Sequence, residues 1–511
     1  MMSPFAGIIG EILGTLATLF VVGVGLIVIA IAFMFIVDVS QTKDAIRRNY
    51  PVVGRFRYLF STLGEFFRQY FFAMDREEMP FNRAERDWVY RSSSGGDNTV
   101  AFGSTKNLTP PGTAIFVNCP YPTLDEDAVE APAVTIGPYS QMPYAAQSII
   151  NISGMSYGAI SRPAVKALSR GAKLADCWLN TGEGGLSSYH LEGGCDIVFQ
   201  IGTAKYGVRS EDGSLDDDKL REIAAHEQVR MFEVKLSQGA KPGKGGILPA
   251  AKVTREIARI RGIKANSDSI SPNRHVEVDS NTELLDFIGH VRDVTGKPVG
   301  FKCVLGAYGW LDDMCAEIQT RGIESAPDFI TIDSGDGGTG AAPMPLMDNV
   351  GLPIKQSLPM VVDVLMRHGL RDRIKIIASG KLITPAEVAW AYCAGADFVT
   401  SARGFMFALG CIQALKCNKN TCPTGITTHD RRLQRGLDPE DKSIRVKNFV
   451  GKMRYGVGVI AHSCGARHPR LLKRYHVRLV QSDGRSKPFD ELYPYPTVPT
   501  STPVALRPAE A

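Results

Sequence analysis

The stretch IKIIASGKLITPAEVAWAYCAGADFVTSARG, residues 374–404, decides the fold. It opens on a β-branched and apolar run, 374–379, and closes on a second, 398–402. Between them, residues 385–394 read as a helix with Pro385 in its first turn and Gly395 just past its end, the positions where each residue does least harm. Two strands joined through a helix form a parallel βα unit, because parallel strands need a crossover. Outward from this unit, short runs of the same kind recur at 148–153, 178–181, 197–203, 231–237, 300–305 and 329–334. Helical patterns at 164–172, 312–320, 356–368 and 405–415 fall among them. Eight strands alternating with helices over about 280 residues predict an α/β chain folded as a (β/α)8 TIM barrel; the rival is a doubly wound open sheet.

The N-terminus carries a different signal. Residues 12–37 contain no charged side chain, and at a helical rise of 1.5 Å they reach ~39 Å, enough to cross a hydrocarbon core. The run is longer than the apolar part of a signal peptide and no Lys or Arg precedes it, so it reads as a transmembrane anchor. Lys43, Arg47, Arg48, Arg55 and Arg57 follow it, which by the positive-inside bias places the rest on the cytoplasmic side of the inner membrane. The expected organisation is an anchor over 1–40, a small membrane-proximal module over 41–140, the barrel with a cysteine-rich loop over 141–430, a helical extension over 431–480 and a Pro-rich tail over 481–511, expected to be disordered.

Composition narrows the function. At 44% hydrophobic and 22% charged residues the 511-residue chain is not disordered or fibrous as a whole. A net charge of +5 without a long Lys/Arg run argues against nucleic acid as a partner. Ten cysteines, three of them between 411 and 422, fit a reducing compartment with one metal site better than a disulfide framework.

Most strand ends lead into Gly, Ser or Thr, where a barrel builds its active site. After the sixth strand come Asp336, Gly337, Gly338, Thr339 and Gly340; after the seventh, Ser379, Gly380 and Lys381; after the eighth, Ser401, Ala402 and Arg403. Glycine loops let backbone N–H groups approach a phosphate, and these three follow the strands where barrels commonly hold one. No dinucleotide or P-loop fingerprint accompanies them. Cys411, Cys417 and Cys422, followed by Pro423, have the spacing to wrap one small iron–sulfur cluster; zinc, with His429 as the nearest fourth ligand, and unligated thiols are the alternatives.

The residues resemble the FMN-binding, synthase part of glutamate synthase and its shorter relatives. The resemblance runs over about 149–428 on motifs in one order: SGMSYGA (153–159), NTGEGG (180–185), EVKLSQGAKPGKGG (233–246), DGGTGA (336–341) and ALGCIQALKCNKNTCPTGITT (408–428). It implies a (β/α)8 barrel with FMN and a [3Fe-4S] cluster held by Cys411, Cys417 and Cys422. Ser153, Gly154, Met155, Ser156 and Thr181 would line the flavin, and Gln200 and Lys302 would face it. The three glycine loops would take its phosphate. The implied reaction is reductive amination of 2-oxoglutarate, through 2-iminoglutarate, to glutamate. Lys235, Lys241 and Arg261 would receive the keto-acid, Lys241 would serve catalysis, and Glu183 would be an acid/base or a loop-stabilising acceptor. Ammonia would come from solution or a partner, and electrons from a ferredoxin, a reductase subunit or a quinol. Three positions depart from the family pattern. Ile247 stands where the family has Gln, residues 272–277 keep one histidine, His275, and Gly380-Lys381 replaces Gly-Gly. These departures keep two alternatives open, a flavin oxidoreductase acting on another substrate and a non-catalytic electron carrier.

Overall fold

The computed structural model describes residues 4–41 and 44–497. The chain forms two compact units, residues 1–84 and 85–511. In the first, helix α1 (Pro4–Ser40) is long and apolar enough over Gly10–Ser40 to cross a membrane. Asp38, near its end, is fully buried and meets the guanidinium groups of Arg47 at 2.6 Å and Arg55 at 2.8 Å. It also accepts the Val52 N–H. A buried carboxylate needs such partners, so this one residue pins α2 (Ala45–Asn49) and α3 (Val53–Phe67) to the end of α1.

The second unit holds the barrel. Its strands are β1 (Ile150–Ile152), β2 (Leu179–Asn180), β3 (Ile197–Ile201), β4 (Val229–Lys235), β5 (Val299–Val304), β6 (Phe329–Asp333), β7 (Lys375–Ser379) and β8 (Phe398–Ser401). Neighbours pair in parallel, and β8 returns to β1 through Val399–Ile150, Thr400–Asn151 and Ser401–Ile152, closing the sheet. All eight expected strands are present, and the open-sheet rival is excluded. The sheet closes over Trp178, Val198, Met231, Phe329, Ile377 and Phe398, with an antiparallel hairpin (Val134–Ile136 with Tyr144–Ala146) adding Ile136 and Ala146 to the same core. The Trp178 and Phe398 rings meet edge to face at 5.1 Å. This packing at one end leaves the C-terminal strand ends open at the other.

The surrounding helices follow local rules. In α4 (Arg162–Leu174), Ser161 accepts the Ala164 N–H and a proline occupies the first turn. The helix after β7, α5 (Pro385–Ala394), starts with a Thr384–Glu387 capping box and stops at Gly395, φ +107°. A long helix, α6 (Pro439–Ser463), packs Phe449 edge to face on Phe405 at 5.2 Å.

Three boundaries differ from the sequence reading. The helix expected over 405–415 is Arg403–Ala408; beyond it Gly410, Gln413 and Leu415 take positive φ and the chain turns into the cysteine loop. The module expected over 41–140 is divided after Ala84, and residues 85–140 belong to the barrel unit. The tail expected from 481 carries a strand, Ser486–Pro488, and a helical turn, Phe489–Leu492, pinned by the fully buried Phe489 against Trp390 at 5.9 Å. Residues 498–511 of that tail lie outside the described residues.

Candidate active site

The strand ends open on a cleft with ≈ 1320 Å³ of atom-free space. Lys235, at the end of β4, and Glu183, in the loop after β2, form an ion pair at 3.0 Å. Lys235 also donates to the Gln238 side chain, which donates in turn to Thr339 Oγ1 at 2.9 Å. Lys241 and Arg261 line the same wall, 6% and 4% exposed. Arg261 ends a short helix (Arg255–Arg261), yet it turns inward: it stacks on the Tyr206 ring and donates to Ser269 Oγ at 3.1 Å. Its guanidinium therefore hydrogen-bonds neutral groups only, with the Glu183 carboxylate acting on it through space.

The electrostatics follow from this crowding. Burial pushes Glu183 upward, but the charges of Lys235, Lys241 and Arg261 outweigh it and hold the carboxyl below its usual value. Lys241 moves the other way: burial, then the repulsion of Lys235, push its ammonium down to about 8, with Glu183 opposing. Burial pushes the Lys302 ammonium on β5 downward, but Asp333 at 3.1 Å and Glu233 outweigh it and raise it. Glu233 anchors the floor, accepting from Asn180 (2.8 Å), Gln200 (2.6 Å) and Thr331 (2.6 Å).

Gly246 closes over Glu183. A Cβ placed there would stand 2.5 Å from Glu183 Oε1, so Gly246→Ala must displace the carboxylate from Lys235. The expected result is a folded protein whose kcat/KM falls on the order of tenfold or more, the worth of one charged hydrogen bond, read by steady-state kinetics beside a circular dichroism melt.

The glycine loops border the same cleft, and Gln238 joins one of them to Lys235 through Thr339. Gly338, Thr339, Gly340, Ser379, Gly380, Lys381, Ser401, Ala402 and Arg403 all border the cleft. Arg403 donates to the Thr339 carbonyl, tying the loops after β6 and β8 together. Gly380 has φ +102° and packs on Ser334, where a Cβ would come within 2.5 Å. Lys381 takes φ +55°, a conformation unfavourable for a side-chain-bearing residue, and its ammonium holds Asp336 at 2.8 Å. Asp336 and Gly337 do not border the cleft: the first serves Lys381 and Ser334, the second packs against Ser334 and Gly239.

Beside the cleft runs the cysteine loop. Burial raises the Cys411 thiol, as does the charge of Cys417 and Cys422, so the three sulfurs lie within electrostatic range of one another. Arg403 reaches Cys417 Sγ at 4.0 Å. Hydrogen bonds from Thr424 and Thr427 hold Cys422 below its usual value against burial. Among the described residues no three His, Cys, Asp or Glu side chains stand close enough to hold a metal ion, so the sulfurs do not converge on one point as the spacing led us to expect. His429, the possible fourth ligand, is engaged with the Gly158 carbonyl at 2.9 Å.

Comparison with known proteins then decides the relationship. The model of the family described as the conserved region in glutamate synthase matches residues 113–467. The chain belongs to the glutamate synthase family. It is 39% identical over 513 residues to the glutamate synthase large subunit-like protein YerD of Bacillus subtilis, covering 93% of this chain and 97% of that one. It is 36% identical over 303 residues to the archaeal glutamate synthase [NADPH] of Methanocaldococcus jannaschii and 33% identical to the archaeal-type enzyme of Thermotoga maritima. These matches cover 59% of the chain and 56% of each relative, so the chain spans little more than half the length of those two. Membership places the chain among glutamate synthase-type oxidoreductases.

Within that family frame, the geometry sorts the expected residues. Ser153, Gly154, Met155, Ser156, Gln200, Lys235, Lys241, Arg261, Lys302 and Glu183 all border one cleft. Thr181 does not; its hydroxyl donates to Gly182 and accepts from the Gln200 N–H, joining two strands. Cys417 borders the cleft, whereas Cys411 and Cys422 do not. Glu233, Gln238, Asp333 and Lys252 are contributions the sequence reading missed. Glu233 and Gln238 lie inside the motif at 233–246, but their roles depend on partners a strand or more away.

Proposed function

We propose that the protein is a membrane-anchored glutamate synthase-type enzyme that uses FMN and a [3Fe-4S] cluster to form glutamate from 2-oxoglutarate and ammonia with an external electron donor. One observation carries this reading: three buried cations, Lys235, Lys241 and Arg261, act on one carboxylate, Glu183, in a cleft that glycine loops also border. That imbalance suits a substrate with two carboxylates. The loops fit a flavin phosphate, since Gly340 faces open space where a side chain would otherwise intrude. The donor set of Cys411, Cys417 and Cys422 fits a small iron–sulfur cluster in chemistry and in sharing one loop, and the loop would have to draw its sulfurs together to hold it.

When bound, FMN would supply hydride to the substrate's imine carbon and the cluster would pass single electrons. The chain's own residues do the rest. Arg261 and Lys235 bind and orient the carboxylates; Glu183, ionised, holds Lys235 in place. Lys241 can donate a proton to the oxygen that leaves as water when ammonia condenses with the keto group, and recover a proton from the nitrogen that has added. The working form is the ammonium, so kcat/KM should decline as pH rises through about 8, the value burial gives Lys241. A bound dianion favours the ammonium, so the same limb in kcat should lie at higher pH; a pH–rate series checks both.

Ile247 supports a second reading. It stands in the cleft wall, 43% exposed, where it cannot hydrogen-bond a carboxylate, and so favours a keto-acid with an apolar side chain. Assaying glutamate and other amino acids formed from a keto-acid panel with ammonia and a chemically reduced donor separates the two: product from 2-oxoglutarate alone supports the first.

The anchor reading rests on α1. Removing residues 1–40 should move the protein from the membrane pellet to the supernatant with its flavin retained. Continued pelleting would contradict anchoring by this helix.

A further inference from the structure

Helix α3 carries an apolar face that no described residue of its own unit covers. Its start is clamped: the Val52 N–H and the Arg55 guanidinium both reach Asp38 at the end of α1. Gly54 packs so closely on α2 that a Cβ there would stand 3.0 Å from the Ile46 carbonyl oxygen. Beyond that turn α3 leaves α1, since every side chain from Phe56 to Leu63 is exposed. The two sides of the helix differ in chemistry. At 3.6 residues per turn, Val53, Phe56, Leu59, Phe60 and Leu63 fall within about a third of the circumference, while Arg55, Arg57, Tyr58, Ser61 and Thr62 lie round the rest. The five apolar side chains are 36–67% exposed. Phe71 and Phe72, also exposed, follow in a π-helical turn (Arg68–Phe72). A single exposed phenylalanine is ordinary, but a contiguous row of large apolar side chains marks a contact surface.

A bilayer surface fits this face on three counts. The row begins where the uncharged run of α1, residues 12–37, gives way to Asp38, and Arg55 of α3 grips that same carboxylate, so α3 starts at the level where the hydrocarbon ends. Phenylalanine and leucine make up most of the apolar side, the composition of helices that lie in a membrane interface. Residues 45–64 hold four arginines and no acid, and with Arg47 and Arg55 spent on Asp38, the exposed Arg48 and Arg57 suit anionic headgroups.

We propose that α3 lies along the membrane surface, its apolar side seated between headgroups and upper acyl chains, as a second membrane contact beside the crossing by α1. Asp38, buried among its arginines, is the elbow between the crossing helix and the surface helix. The inference rests on the anchor reading above and deepens it.

The test uses the full chain in vesicles of phosphatidylcholine and phosphatidylglycerol, with Phe60→Trp and Thr62→Trp on opposite sides of α3. Both positions are exposed, so neither change threatens the fold. The four native tryptophans lie beyond residue 84, and the signal of the unsubstituted protein is subtracted. Phe60→Trp should lose about half its added emission when the lipid chains are brominated near the headgroup, because an interfacial helix seats its apolar side about 5–10 Å deep. Thr62→Trp should respond little to bromine and be quenched by iodide on both sides of the bilayer. Iodide reaching both positions, with bromine reaching neither, overturns the proposal by leaving α3 in water. Position 60 shielded from both quenchers overturns it by assigning the face to protein, either the barrel unit or a second copy. Bromine quenching both positions overturns it by immersing the helix. In each of these cases the protein still floats with the vesicles, so the anchor reading stands; failure to float would remove that reading, and this inference with it.

Discussion

Lys241→Met should lower turnover by about 10²- to 10⁴-fold while leaving the protein folded and flavin-loaded, the range expected when a positioned proton donor is removed. Lys241 lines the cleft with Lys235 and Arg261, 6% exposed, and of the three it is the one whose ammonium burial and Lys235 bring down to about 8. A group poised near the working pH can both give and recover a proton; Lys302 is shifted the other way, raised by Asp333 and Glu233. Methionine preserves length and apolar bulk, so packing losses are small. The alkaline limb near 8 should vanish with the residue. Stopped-flow and steady-state assays over a pH series check both effects, and a variant with normal turnover would remove Lys241 from the chemistry.

Cys417→Ser should abolish activity driven by an external electron donor and lower iron content, while flavin binding survives. Cys417 is the cysteine that borders the cleft, within 4.0 Å of Arg403 and bonded through its carbonyl to Lys252. Serine keeps the backbone interaction and removes the thiolate, the atom an iron centre requires. The glycine loops after β6 and β7 belong to other strands, and Arg403 keeps its bond to the Thr339 carbonyl, so the flavin phosphate site is retained. Iron analysis with an absorption spectrum reads the outcome; full iron content in the variant would end the ligand assignment.

The barrel was legible in the sequence because its signal is local. Most strands are short apolar, often β-branched, runs leading into Gly, Ser or Thr, and a closed parallel sheet buries both faces of its strands, so such runs stand out against helices. Lys235, Lys241 and Arg261 were legible through their motifs, yet Arg261 alone could equally have been an exposed helix charge; only its stacking on Tyr206 and its bond to Ser269 show it turned inward. What stayed hidden depends on long-range register. Glu233 gathers donors from Asn180, Gln200 and Thr331, three strands that nothing near residue 233 announces. Lys252 acquires meaning only when the loops bearing Ala159 and Cys417 close on it. The overrun of the helix at 405–415 has the same origin: an apolar run continues to Leu415, but Gly410 at φ +102° turns the chain away for the cysteine loop. In the C-terminal tail, proline content outweighed one aromatic anchor, Phe489, that composition cannot weigh.

The central claim is that the cationic wall and the glycine loops serve one reaction at a bound flavin. Anaerobic reduction of the purified full-length protein, followed by mixing with 2-oxoglutarate with and without ammonia, tests it most directly through the flavin absorbance. We expect the yellow oxidised spectrum to return only when keto-acid and ammonia are both present, with glutamate formed in step. A colourless protein, or a reduced flavin indifferent to both reactants, would contradict the claim.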